Sequence, residues 1–111
     1  MSRRDDATSL RHILEYGREV TEHMRGKTLH DLEADRPLQL IVARLLEILG
    51  EASRRLSNEF RASHTEVPWH EIAGMRNRLV HVYDDINLGV LWRTATRDVP
   101  RLLELLEPLA R

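Results

Sequence analysis

The sequence of 111 residues contains no cysteine, and this absence excludes several kinds of protein at once. A chain without thiols has no disulfide framework, no thiol nucleophile and no cysteine-ligated metal site. The sequence also has no apolar run near the ~20 residues of a membrane-spanning helix, and no signal-peptide pattern opens it. We therefore expect a cytoplasmic protein, and the hydrophobic fraction of 41% is typical of a folded domain.

The sequence lacks an excess of charge of either sign. Its 17 basic and 18 acidic residues give a formal net charge of -1, which argues against coating of nucleic acid through bulk charge but leaves a local site open. Lysine is nearly absent, since Lys27 is the one exception among the basic residues. Arginine suits bidentate recognition of phosphate, although a genome-wide codon bias would give the same composition.

A helical pattern runs through the whole chain and predicts a single all-α domain, residues 1–111. Leucine outnumbers valine plus isoleucine by 18 to 12, which favours helix over sheet. Apolar residues recur at three- and four-residue spacing. The predicted helices are 3–25, 35–61, 68–83 and 88–109, with a connector at 28–34. Short loops between such helices predict an antiparallel bundle of four to five helices.

Several residues mark the expected helix ends. Gly26 is suited to end the first helix in a left-handed conformation, and Asp35 to cap the second. Asn87 or Asp85 is suited to cap the last helix. Pro100 lies inside that helix and predicts a kink or a split near residues 97–99.

The second predicted helix has apolar residues on two faces. One series is Leu38, Ile41, Leu45, Leu49, Ala52, Leu56 and Phe60, and the other is Leu40, Ala43, Leu46 and Gly50. A helix with two apolar faces buries both. In a chain this short we expect the second series to face another copy of the chain, with Gly50 allowing close approach. The predicted assembly is a symmetric homodimer.

The third predicted helix carries polar residues on the side that faces away from its core stripe. At roughly 100° per residue, Gly74, Asn77 and His81 fall within about 60° of one another. Arg76 and Tyr83 lie two turns apart at the edge of the apolar stripe. Gly74 costs roughly 1 kcal/mol relative to alanine inside a helix, and a close backbone contact would explain it. Periodicity alone indicates only a polar strip that faces a partner.

The run from Arg76 to Tyr83 reads R-N-x-x-x-H-x-Y. It resembles the signature of the HEPN superfamily, specifically the HepT ribonuclease toxins of HepT/MntA-type toxin–antitoxin pairs. Segments around the motif extend the resemblance over nearly the whole chain: 48–52, 67–69, 72–75, 90–92 and 98–100.

The resemblance implies a dimeric, metal-independent ribonuclease without a cofactor, with two motif copies facing each other. RNA cleavage without a metal needs a base for the 2′-OH, a cation for the phosphorane and an acid for the leaving 5′-oxygen. His81 suits the base or the acid role, and Arg76 suits the phosphorane. Asn77 is suited to orient the His81 ring or the phosphate. The expected substrate is tRNA or mRNA.

The resemblance implies a different role for Tyr83. In the family, a minimal nucleotidyltransferase antitoxin attaches AMP units to the motif tyrosine. Such a modification would place phosphate charge and nucleotide bulk near His81 and repel the substrate phosphates.

Three other interpretations compete with this one. A non-catalytic scaffold or binding subunit beside a nucleotidyltransferase would not need Arg76, Asn77 and His81 together. A metal site of His70, His81 and the Asp84/Asp85 pair is disfavoured, because the two histidines are roughly 16 Å apart along one helix. A DNA-binding bundle would need a denser basic face than any predicted helix offers.

Overall fold

The structure is a computed structural model that describes residues 3–75, 77 and 86–110, with side chains from residue 5 onward. Its elements in chain order are α1 (Arg3–Met24), α2 (Leu29–Glu33), α3 (Arg36–Arg54), α4 (Asn58–Ser63), α5 (Trp69–Ala73), α6 (Leu88–Arg93), a π-helical turn (Thr94–Asp98), α7 (Val99–Leu106) and a 3₁₀ turn (Glu107–Ala110). The described residues form helices and contain no strand element. The predicted all-α fold is confirmed.

The first helix follows the sequence prediction closely. Helix α1 packs on α3 and α7 and buries apolar residues at three- and four-residue spacing, among them the fully buried Ile13 and Val20. A Cβ built on Gly17 would lie 2.8 Å from Cδ2 of Leu103, so the small residue permits the close packing of α1 on α7. Gly26 has φ +73°, which confirms the left-handed end.

The connector contains one short, well-capped helix. Thr28 and Asp31 form a capping box on α2, in which the Thr28 amide donates to Asp31 Oδ2 at 2.8 Å and the Asp31 amide donates to Thr28 Oγ1 at 3.1 Å. The hydrogen bond from the Thr28 backbone, and then the one with its side chain, lower the pKa of the Asp31 carboxyl. Leu32 of α2 is buried in the hydrophobic core and anchors this short helix there.

Helix α3 is the central helix, and its core face differs from the predicted one. Asp35 caps it by accepting from the Leu38 amide at 3.0 Å, as predicted. Val42 and Leu46 are fully buried, so placing Leu46 in the outward series was wrong. Ile41, predicted in the core series, is instead 42% exposed, and Leu40 beside it is 50% exposed.

The predicted continuation of this helix to residue 61 was also wrong, because the helix ends at Arg54 and a new one begins after Ser57. The buried Asp6 carboxylate of α1 accepts from the Ser57 amide and from its hydroxyl, both at 2.7 Å. The Ser57 hydroxyl oxygen in turn accepts from the Phe60 amide at 3.0 Å and caps α4. The long-range contact between Asp6 and Ser57 therefore fixes the position of the break between α3 and α4.

The C-terminal segment shows the irregularity expected near Pro100. The π-helical turn at Thr94–Asp98 directly precedes α7, which has Pro100 in its first turn. A widened turn accommodates a residue that cannot donate a backbone hydrogen bond. Asn87 caps α6 by accepting from the Val90 amide at 3.1 Å, which confirms one of the two predicted caps. Within the described ranges, no helix is long and apolar enough to cross a membrane.

Candidate active site

The candidate residues fall unevenly on the described part of the chain. Arg76, His81 and Tyr83 lie outside the described residues, so their predicted roles stay predictions. Asn77 is described, has helical geometry and is exposed. The described part of the candidate site therefore consists of Asn77 and of the elements that lead into the motif.

The helix that leads into the motif is shorter than predicted. Helix α5 covers Trp69–Ala73 and ends at Gly74, so the predicted uninterrupted helix from residue 68 was wrong at this point. Helical geometry resumes at Met75 and Asn77. Gly74 has φ -87°, and among the described atoms its added Cβ would meet only the helix's own carbonyls, the nearest being the His70 oxygen at 3.4 Å. Among the described residues, Gly74 ends α5, and the predicted close approach of another segment stays a prediction.

Helix α5 is held against α3 by apolar anchors and by close backbone packing. Ile72 and Met75 are 4% and 2% exposed. A Cβ added to Gly50 would lie 3.0 Å from the Ile72 carbonyl oxygen. The sequence predicted that Gly50 would admit a partner subunit, but its backbone is covered by α5 of the same chain.

Arg54, in the last turn of α3, joins α3 to the end of α5. Its Nη2 donates to the Ala73 carbonyl at 2.8 Å, and its Nη1 contacts Glu51 Oε1 at 3.4 Å. A cationic donor at a helix C-terminus satisfies a free carbonyl and interacts favourably with the helix dipole. The guanidinium therefore ties the two helices three residues before the motif begins.

Asn77 shares a polar cleft with these residues. The cleft has a volume of about 240 Å³ and is lined by Glu47, Gly50, Glu51, Arg54, Ala73 and Asn77. An amide side chain both donates and accepts hydrogen bonds, and Arg54 adds a positive charge beside two carboxylates. This combination can orient a polar group with hydroxyls, such as a ribose. The described part of the cleft brings Asn77 together with residues of α3.

The start of α5 is fixed by an aromatic cluster. Trp69 Nε1 donates to the carbonyls of His64 at 2.9 Å and Arg61 at 3.2 Å. The Phe60 ring lies 6.1 Å from the Trp69 ring and 4.7 Å from the His64 ring, measured between centroids. Helix α4 thus anchors one end of α5, and Arg54 anchors the other.

Sequence reasoning missed the part that α3 contributes to this cleft. Glu47, Glu51 and Arg54 recur at four- and three-residue spacing, which places them on one helical face. That polar stripe, beside an otherwise apolar helix, was the available signal. A larger and more apolar cavity of about 800 Å³ lies between α1, Phe60 and the C-terminal turn, and Asn77 does not line it.

The fold and the motif define a class of protein, and comparison with known proteins gives its family. The model of the family described as "HepT-like: Ribonuclease HepT-like" matches residues 13–109. The chain therefore belongs to the HepT-like ribonuclease family.

Individual relatives agree with this assignment. The chain is 41% identical over 93 residues to "Putative RNase TTE0752" of Caldanaerobacter subterraneus, covering 84% of this chain and 83% of that protein. It is 39% identical over 92 residues to "Probable ribonuclease HepT" of Thermococcus cleftensis, covering 83% and 84%. It is 37% identical over 107 residues to "Putative RNase MJ1380" of Methanocaldococcus jannaschii, covering 96% and 98%. No solved structure matches the chain.

Proposed function

We propose that this chain is a metal-independent endoribonuclease and the toxin of a toxin–antitoxin pair. The observation that carries the proposal is the family match over residues 13–109, which spans the complete R-N-x-x-x-H-x-Y run. The names of the relatives, each a ribonuclease or RNase, support the same activity. The substrate is RNA, with tRNA and mRNA as the two candidate classes.

The proposed chemistry is general acid–base catalysis by Arg76, Asn77 and His81. One histidine accepts the proton of the ribose 2′-OH, the 2′-oxygen attacks the phosphorus, and the bond to the 5′-oxygen breaks. A second histidine protonates that leaving oxygen, and Arg76 stabilises the charge of the phosphorane. Asn77, exposed in its polar cleft, is available to orient the phosphate or a histidine ring.

The motif supplies one histidine per chain, so a site with two motif histidines requires two chains, and the proposal includes a symmetric homodimer. The exposed apolar residues of α3 support a partner surface, since Leu40 and Ile41 are 50% and 42% exposed. Apolar side chains next to each other on the surface favour burial in an interface. Each subunit would supply one copy of the motif.

The test uses the purified full chain, total tRNA and an mRNA transcript, each assayed with and without EDTA. We expect the wild type to cut RNA in EDTA and His81→Ala to lose at least 100-fold in rate, because general acid–base catalysis contributes about 10² to 10⁴. His70→Ala is the matched control, since His70 is an exposed histidine of α5 outside the motif.

Circular dichroism and a mass measurement check that the variants keep their fold and assembly. Full activity of a folded His81→Ala protein would contradict the catalytic role. A wild type that leaves RNA intact would instead favour a non-catalytic scaffold beside a nucleotidyltransferase. Activity that is lost with EDTA or with His70→Ala would favour the metal site.

We further propose that a minimal nucleotidyltransferase antitoxin neutralises the toxin by attaching AMP to Tyr83. Co-expression should add the mass of one or more AMP units to the peptide that contains Tyr83, and the modified protein should be inactive. Tyr83→Phe should stay toxic in the presence of the antitoxin. Tyr16→Phe is the control, because Tyr16 on α1 is the other tyrosine of the chain. Neutralisation of Tyr83→Phe without added mass would contradict this mode of inhibition.

A further inference from the structure

We propose that Arg54 is a positioning residue, which fixes the backbone at the start of the catalytic motif and thereby places Asn77 in its cleft. This inference rests on the proposed ribonuclease function. It assigns a role to a residue outside the motif, on a different helix.

The backbone hydrogen bonds change pattern where α5 ends. In a continuous α-helix the amide of Asn77 would donate to the Ala73 carbonyl, four residues earlier. It donates instead to the Gly74 carbonyl at 3.1 Å, while the Gly74 amide donates to the His70 carbonyl at 3.0 Å. Among the described residues, no backbone amide donates to the Ala73 carbonyl.

Arg54 donates a side-chain hydrogen bond to this carbonyl. Its Nη2 lies 2.8 Å from the Ala73 oxygen, a short and charge-assisted hydrogen bond. Glu51, one turn earlier on α3, holds the other terminal nitrogen at 3.4 Å. The break between α5 and the helical residues that follow Gly74, here called the joint, is thus positioned by the Arg54 side chain, which Glu51 on α3 holds in place.

The joint lies directly before the motif, so its geometry is passed on to Asn77. Without Arg54, the buried side chains of Ile72 and Met75 would still anchor this segment in the core, but the Ala73 carbonyl would lose the hydrogen bond from the guanidinium. The turn would then sample other angles. A displacement of about 1 Å in a catalytic group can cost about 100-fold in rate, while substrate contacts elsewhere are kept. A loss in kcat with little change in KM is the expected signature.

The experiment compares Arg54→Met, which keeps the aliphatic stem and removes the donors, with Arg101→Met. The control Arg101 makes the same kind of pair, to Glu104 three residues on at 3.1 Å, and is similarly exposed. We expect Arg54→Met to lower kcat about 10- to 100-fold with KM within about twofold of the wild type. Arg54→Lys, which keeps one charged donor, should recover part of the loss, and Arg101→Met should behave as the wild type.

Amide hydrogen exchange provides a readout that does not depend on activity. In Arg54→Met the amides of Gly74 and Asn77 should exchange faster, while the Leu91 amide, which donates to the Asn87 carbonyl at 2.9 Å in α6, should not change. Should Arg54→Met fail to fold, Glu51→Gln is the second variant. It must show the same changes in kcat and in amide exchange, but smaller ones.

Three results would overturn the proposal. The first is wild-type kcat and exchange in a folded Arg54→Met or Glu51→Gln protein. The second is an effect confined to KM that varies steeply with salt, which would make Arg54 an RNA-binding cation. The third is unchanged exchange at Gly74 and Asn77. A wild type that cleaves no RNA would overturn the proposed function separately, and exchange would then decide on the role of Arg54 by itself.

Discussion

Apolar burial holds both the bundle core and the edge around α5, but the edge adds directional hydrogen bonds. Helices α1, α3 and α7 pack through fully buried side chains, including Ile13, Leu46 and Val99. Among the described elements, α5 packs chiefly on α3. A hydrogen bond from the Trp69 side chain fixes the start of α5, and one from the Arg54 side chain fixes its end. Non-directional apolar burial tolerates small shifts, whereas hydrogen bonds specify an angle. The polar edge is therefore the part of the bundle suited to hold catalytic groups in register.

The largest expected effect comes from breaking the core. Leu46→Ala removes a fully buried side chain at the centre of α3 and should lower the free energy of unfolding by about 2 to 5 kcal/mol. Urea unfolding of the purified protein measures it. Leu29→Ala, at a position on α2 that is 38% exposed, is the control and should cost less than about 1 kcal/mol. Equal losses for the two variants would contradict the assigned core.

A smaller effect is expected where hydrogen bonds connect the core to the edge. Asp6→Ala removes both acceptors of Ser57 and leaves its amide without that partner, so the free energy of unfolding should fall by about 1 to 3 kcal/mol. Glu104→Ala, which breaks only an exposed ion pair, should change it by less than about 1 kcal/mol. If Asp6→Ala unfolds like the wild type, the contact does not set the break between α3 and α4.

The smallest effect on stability should come with a clear effect on activity. In Gly50→Ala the new Cβ would lie 3.0 Å from the Ile72 carbonyl, so α5 must move by a few tenths of an ångström. The better helix propensity of alanine, worth about 1 kcal/mol, offsets much of the cost in stability. RNA cleavage should still drop several-fold, because α5 leads into the motif.

The matched control for this change is Gly89→Ala in α6. An added Cβ there would meet Asn87 Oδ1 at an ordinary 3.5 Å. Both stability and RNA cleavage of Gly89→Ala should therefore equal or exceed those of the wild type. A Gly50→Ala protein that cleaves RNA at the wild-type rate would show that the edge tolerates displacement as the core does.

Features set by neighbouring residues were predicted correctly from the sequence. The left-handed Gly26, the Asp35 cap, the Asn87 cap and the irregular turn before Pro100 all depend on local backbone preferences. The helical class followed from periodicity and composition. Of the motif, the described residues include Asn77 but not Arg76 or His81, so the catalytic roles of these two stay predictions.

Features that depend on distant residues were not predicted. The end of α3 at Arg54 follows from Asp6, which is 51 residues from Ser57 along the chain. The core face of α3 was assigned to the wrong series because neighbouring apolar stripes on one helix look alike until their partners are known.

The sequence by itself determined the helical class and the helix ends at Gly26, Asp35 and Asn87, and it contains the run that resembles the HepT signature. Those properties depend on the order of residues over one or two turns. Tertiary structure alone decided that Gly50 admits α5 of its own chain, and that Arg54 holds the Ala73 carbonyl beside Asn77. Both contacts join residues about 20 positions apart, and only the packed arrangement of α3 and α5 brings them together.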